Sequence, residues 1–427
     1  MASKAAKVSQ ASVTEVSRVA EGNPGSEGRF FELDILRGFA SYLVVIFHYK
    51  HFLYSDALGF DYAHLPFLGL LEPVYVYGQF FVELFFSISG YVFFWLYAKA
   101  LAERKMGVKS FFIARFSRLY PLFFATFIVV ALIQWAFHAI YGYSYIYQHN
   151  TAGNFALNLF MVHQWIPHAE MTFNGPSWSI SVEVFLYAVF FALSYVKLNT
   201  PVMVVAMIVL GLIFKYLEAD QASDFARGVP SFFFGGLAFY AVQGLRGLKN
   251  PKWLKIVDTT LKWTLPLLWL LTYVRTQPQW WMPITGAGAP GQTLPYVQMS
   301  HGWDTTEGFV YGLIPLTLLA LGLRQDRWRT PLLSKERLHS ISWIGDISYS
   351  LYLLHFPLQI AVMICVAGWL PEQRAALFGS PVFFILFMGV GTLLARASYT
   401  YFEMPARKTL KGWLTRRLDP RREPKAA

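Results

Sequence analysis

The chain has a single cysteine, Cys365, so it cannot form an internal disulfide. Cys365 lies in an apolar run, where a lone thiol is most often a small packing side chain. Charge is scarce: 14% of the 427 residues are Asp, Glu, Lys or Arg, against 55% hydrophobic. There is no HExxH pair, no cysteine cluster and no phosphate-cradling glycine loop, so no metal site is expected. Residues 1–30 lack an apolar segment, so no cleavable signal peptide is expected there and the segment reads as a disordered cytoplasmic tail. A formal net charge of +11 would suit a nucleic-acid binder. The basic residues cluster at alternate ends of apolar runs, however, which is the pattern of membrane orientation, and no nucleic-acid partner is expected.

What the chain has is long hydrophobic runs and many aromatics, with 39 Phe, 24 Tyr and 14 Trp. The runs are continuous rather than alternating, so they imply helices and not a membrane barrel. Spans are expected at about 33–52, 75–97, 114–136, 177–196, 201–217, 231–245, 257–274, 306–323, 345–368 and 381–400. Connections on one side hold twenty-six Lys and Arg, and those on the other hold three. The expected fold is an all-α membrane protein, a bundle of about ten transmembrane helices with both termini cytoplasmic. Its parts are a tail at 1–30, a multi-span domain at 31–405 and a basic cytoplasmic tail at 406–427. The last part would anchor against anionic lipid. The outer connection 137–176 includes an apolar segment, Phe155 to Trp165, expected to lie flat on the membrane.

The first span opens Leu33-Asp34-Ile35-Leu36-Arg37-Gly38 and reaches His48 through almost purely apolar residues. Ionisable groups cost roughly 2.5–3.5 kcal/mol each at mid-bilayer, so they usually mark function. Eleven residues make about 16 Å of rise and nearly three helical turns. Arg37 and His48 thus share one face, the first near the cytoplasmic surface and the second deep. His48 is expected about 22 Å into a ~30 Å core, and Glu183, entering from outside, about 9 Å below the outer edge. The depths agree.

Six segments together resemble the acyltransferase-3 family of integral membrane acyltransferases. They are Leu33–Ala40 with His48, an Arg-ten-residue-His pattern; Phe81-Val82-Glu83-Leu84-Phe85-Phe86-Ser87-Ile88-Ser89-Gly90-Tyr91; and Arg115-Phe116-Ser117-Arg118-Leu119-Tyr120-Pro121. The others are Trp178-Ser179-Ile180-Ser181-Val182-Glu183; Ser348-Tyr349-Ser350-Leu351-Tyr352-Leu353-Leu354-His355-Phe356-Pro357; and Phe402-Glu403-Met404-Pro405. One departure is Gly78-Gln79-Phe80-Phe81-Val82, which lacks a second glycine just before the valine. The resemblance implies transfer of an acyl group, commonly acetyl, from cytoplasmic acyl-CoA to a hydroxyl. The acceptor would be a carbohydrate or lipid-linked glycan at the bacterial inner membrane. Some relatives add a hydrolase-like domain that this chain is expected to lack.

The residues suit that chemistry. A histidine with a carboxylate, here His48 with Glu183, is a general-base unit, and covalent transfer through His48 is an alternative. Glu183 has a plainer reading too, satisfying backbone or Trp groups in the bundle. Arg37, Arg115 and Arg118 stand near cytoplasmic span ends and could grip the phosphates of coenzyme A, or serve only as topology anchors. Asp34 would pair with Arg37. Glu83, Trp178, Ser179, Tyr349 and His355 are expected to contact substrate or support the catalytic side chains, and a surface role is expected for His163. The rival is a proton-coupled transporter of a lipid or acyl anion, but no convincing internal repeat supports it.

Overall fold

The computed structural model describes residues 29–55, 59–166, 169–217, 224–248, 250–276, 305–324 and 334–418. The N-terminal tail up to residue 28, most of the 275–305 connection and the last nine residues lie outside the described residues.

Among the described residues the only strands are a two-residue antiparallel pair, Tyr54–Ser55 with Gly59–Phe60. All else regular is helix. Helix α1 (Phe31–Tyr49) ends in a 3-10 turn at Lys50–Leu53. After α2 (Leu68–Tyr77), α3 (Phe80–Phe93) continues through a π-turn at Phe94–Ala98 into α4 (Lys99–Ala102). Helix α5 (Val108–Tyr141) has 34 residues, about 50 Å, and overshoots a ~30 Å core. Then follow α6 (Ala152–Leu159), α7 (Trp178–Tyr195), α8 (Pro201–Leu217), α9 (Asp224–Arg246), α10 (Pro251–Arg275) and α11 (Thr305–Arg324). Short α12 (Lys335–Ile341) and α13 (Trp343–Asp346) lead into α14 (Ser348–Val366) and α15 (Pro371–Phe378). Finally α16 (Pro381–Ser398) passes through a π-turn at Tyr399–Glu403 into α17 (Met404–Leu418).

Every expected span contains a helix. Among the described residues, six stretches are long and apolar enough to cross a membrane: Phe80–Ala102, Val108–Tyr141, Gly175–Tyr195, Asp224–Arg246, Ser348–Val366 and Pro381–Leu418. Helices α8 and α11 are shorter in their apolar part, and α1 and α10 carry more charge. The outward faces fit lipid. Helix α5 exposes Phe124, Leu132, Trp135 and Ile140, and α16 exposes Val382, Ile385, Leu386 and Leu393. In water such continuous apolar patches would be a liability.

The structure adds three details. The basic tail is helical to Leu418, as a direct continuation of α16. The outer apolar segment forms its helix earlier, at Ala152–Leu159, because the Thr151 side chain caps it by accepting the Asn154 N–H at 3.2 Å. The sixth span begins at Asp224 rather than 231, because Arg227 and Asp224 are neutralised inside the bundle.

Small residues set the closest helix contacts. A methyl added at Gly90 would fall 1.8 Å from the Phe232 carbonyl oxygen, and one at Gly235 1.9 Å from that of Ser87. Backbones of α3 and α9 therefore touch, as small-residue interfaces in membranes allow. Gly345 does the same for α13 against Asp34 of α1, at 2.1 Å. That contact sets Arg37 beside the start of α14.

Candidate active site

The arginines come together. Arg37 donates to the Gly345 carbonyl (2.9 Å), Ser348 Oγ (3.1 Å) and Asp34 (3.2 Å). Asp34 is held more closely by Arg29 (2.6 Å), which also reaches Asp346 (2.7 Å). Arg115 and Arg118 lie one turn apart on α5. Arg115 is buried, donates to Tyr97 Oη at 2.8 Å and covers the rings of Phe93 and Tyr97. Arg118 makes no hydrogen bond or ion pair with a described residue, yet lines two cavities.

The cavities are consecutive chambers, of about 130 Å³ and 110 Å³. Arg37, Arg115, Arg118, Ser348 and Tyr349 belong to the walls of both. The first chamber adds Arg29 and Arg407, with Asp34, Asp346 and Glu403 as counter-charges. The second is mainly apolar, with Phe85, Phe86 and Ile180, and holds Ser89, Ser179, Glu183 and Tyr352 at its polar points. Five arginines on the first chamber make an anion site, and the second suits an apolar arm.

Glu183 belongs to this second chamber. It accepts from Ser89 Oγ at 3.0 Å and from the Tyr187 hydroxyl. No hydrogen bond or ion pair joins it to His48 among the described residues. The expected pairing of those two is therefore not formed here: α7 turns Glu183 toward the arginines. His48 is oriented by backbone instead. Its Nδ1 lies 2.9 Å from the Val44 carbonyl oxygen. A carbonyl only accepts, so Nδ1 carries the proton and Nε2 keeps its lone pair. His51 and His355 lie against it, with ring centroids at 5.2 and 4.9 Å. Gln359 donates to the His48 carbonyl at 2.8 Å.

The supporting residues divide. Tyr352 meets Ser179 Oγ at 2.7 Å and donates to the Pro176 carbonyl, so both stand between the second chamber and His355. Tyr349 donates to the Leu119 carbonyl at 2.7 Å, locking α14 to α5 beside Arg118. Glu83 and Trp178 lie elsewhere. Glu83, wholly buried, takes Arg227 Nε at 2.8 Å, and the Arg227 guanidinium covers the Trp178 ring at 4.8 Å. Arg227 falls between the expected spans 201–217 and 231–245, as one of the three basic residues of the outer connections. His163, expected at the surface, is buried against Phe123, and burial pushes its pKa down to about 4. It is therefore neutral near pH 7.

Arg227→Ala would strand the buried Glu83 carboxylate and cost about 3–5 kcal/mol. The double change Glu83→Leu with Arg227→Met should lose less, because it removes both charges. Heating each purified variant in detergent and following the monodisperse fraction distinguishes them. Equal losses would show that an uncompensated charge is not the cause.

Comparison with known proteins gives the family. A family model described as "Acyltransferase domain", that of the acyltransferase-3 family, matches residues 30–416. A curated relative, Acyltransferase MdmB of Streptomyces mycarofaciens, is 29% identical over 161 residues. That match spans 36% of this chain and 36% of the relative. No solved structure matches. With six helices among the described residues long and apolar enough to cross a bilayer and a family match over most of its length, the chain belongs to the acyltransferase-3 family.

Proposed function

We propose that the protein transfers an acyl group, acetyl in the simplest case, from cytoplasmic acyl-CoA to a hydroxyl of a carbohydrate acceptor such as a surface or exported polysaccharide. It would act at the bacterial inner membrane, crossing it about ten times with both termini cytoplasmic. One observation carries the reading: Arg118, with no hydrogen bond or ion pair to a described residue, lines both an arginine-rich chamber and a mainly apolar one. A coenzyme A pyrophosphate suits the first chamber, and the pantetheine arm with its thioester suits the second. Each is well below the ~300 Å³ of a typical ligand pocket, so the adenosine would stay outside.

His48 is the base in this account. Its Nε2 lone pair takes the acceptor hydroxyl proton as oxygen attacks the thioester carbonyl. Glu183, placed with the arginines, orients the donor end through Ser89 and Tyr187 instead of assisting His48 directly. Family membership favours this chemistry over the transporter. Labelled acetyl-CoA given to membranes with acceptor glycan tests it. Label should enter the glycan with the wild type and not with His48→Ala, and transfer by both would refute it.

The topology is tested by reporters. One fused after Asn250 should be cytoplasmic, and one after Gln292, which lies outside the described residues, periplasmic. A cytoplasmic signal from the second would break the placement of the seventh and eighth spans.

A further inference from the structure

The reaction leaves a proton in the wrong place. When the hydroxyl attacks, the C–O ester bond forms and the C–S thioester bond breaks. The electron pair departs on the coenzyme A sulfur, and the proton sits on His48 Nε2. Before the next turnover His48 must lose that proton, and the thiolate must gain one to leave as the thiol. On the proposed reading the donor enters from the cytoplasmic side and the acceptor from the other, so a group between His48 and the donor chamber is placed to carry the proton across.

Only some neighbours of His48 face both ways. His51 is turned toward aromatic rings, stacked on Phe60 at 5.8 Å and set against Tyr147 and Phe356, both at 6.1 Å. His355 lies 4.9 Å from the His48 ring and 6.0 Å from the ring of Tyr352. The Tyr352 hydroxyl, bonded to Ser179, lines the donor chamber. His355 is 1% exposed, and neither of its ring nitrogens has a hydrogen-bond partner. The carbonyls of Leu351 and Tyr352 lie close by, but neither forms a hydrogen bond of ordinary geometry with it. Keeping two such atoms unsatisfied in a bundle core is costly, and a leucine would fill the space without that cost. The three histidines are also not grouped as metal ligands.

We propose that His355 accepts the proton collected by His48 and returns it toward the donor chamber past Tyr352 and Ser179, resetting His48 between turnovers. This rests on the reading of His48 as the base. His355 acts through His48 and not on substrate, so it is a positioning residue whose loss slows the cycle and not the first chemical event.

The test is a rapid-mixing experiment with labelled acetyl-CoA and acceptor glycan on purified wild type, His355→Gln, His355→Leu and His48→Ala. Gln keeps the polarity without holding a proton, and Leu fills the cavity without polar atoms. Both His355 variants should release about one product per enzyme at a rate within about twofold of wild type, then continue at least about tenfold more slowly, with KM falling in step with kcat so that kcat/KM is kept. Either variant suffices if the other fails to accumulate. Steady turnover within twofold of wild type in a folded His355 variant would overturn the relay. So would loss of the first turnover together with the rest, which would mark a structural role. His48→Ala separates the two ideas. If it is inactive while His355→Gln cycles normally, the base stands and the relay fails. If it transfers acyl groups, the base reading itself is wrong.

Discussion

His48→Ala abolishes acyl transfer, with a loss of about 10²–10⁴ in rate, while the protein still inserts and accumulates. General-base catalysis is worth that much, and no other described side chain stands where His48 Nε2 does. The protein should survive the change, because His48 contributes to α1 mainly through a hydrogen bond to its own backbone at Val44. His48→Gln should not rescue activity. An amide can mimic the shape and the donor role, but it cannot accept the proton. Initial rates on membranes of matched expression give the measurement, and substantial transfer by His48→Ala would remove the base from the account. An acyl-histidine intermediate predicts the same loss but adds ping-pong kinetics, which the wild type can be examined for.

Arg118→Ala weakens acyl-CoA binding roughly ten- to a hundredfold, corresponding to about 1.5–3 kcal/mol for a charge-assisted contact. Arg118 is the cleaner probe because it makes no hydrogen bond or ion pair with a described residue, and acts on Glu183 and Glu403 only through its field. Arg115 is different. It holds Tyr97 and covers Phe93, so Arg115→Ala should lose stability along with binding. Arg118→Lys should recover only part of the affinity, since an ammonium keeps the charge without the planar fork. Affinity for the acceptor should change little in either variant. Binding of acetyl-CoA and a desulfo-CoA analogue to purified protein decides this, and unchanged affinity in Arg118→Ala would make the arginine a topology anchor.

The sequence made the helices legible because apolar runs of span length have one stable form in lipid. It made the arginine group legible for a related reason. Arg115 and Arg118 share a helix face by spacing alone, and Arg37 begins its span at the same end. It could not show that Glu183 faces those arginines. Depth follows from counting residues, but the rotation of α7 about its axis depends on packing against neighbours. Nor could it show that His48 takes its tautomer from Val44, since backbone geometry was invisible. Arg227 was missed because an arginine between two spans reads as surface charge until its partner, Glu83, is known. His163 was misjudged in the same way, since a connection between spans can fold back into the core.

The central claim is that donor binding and base catalysis sit on separate side chains, and equilibrium binding of labelled acetyl-CoA to purified His48→Ala tests it most directly. The account predicts wild-type affinity, with all label remaining on coenzyme A after acceptor is added. A tenfold or greater loss of affinity, or label appearing in the acceptor, would contradict it.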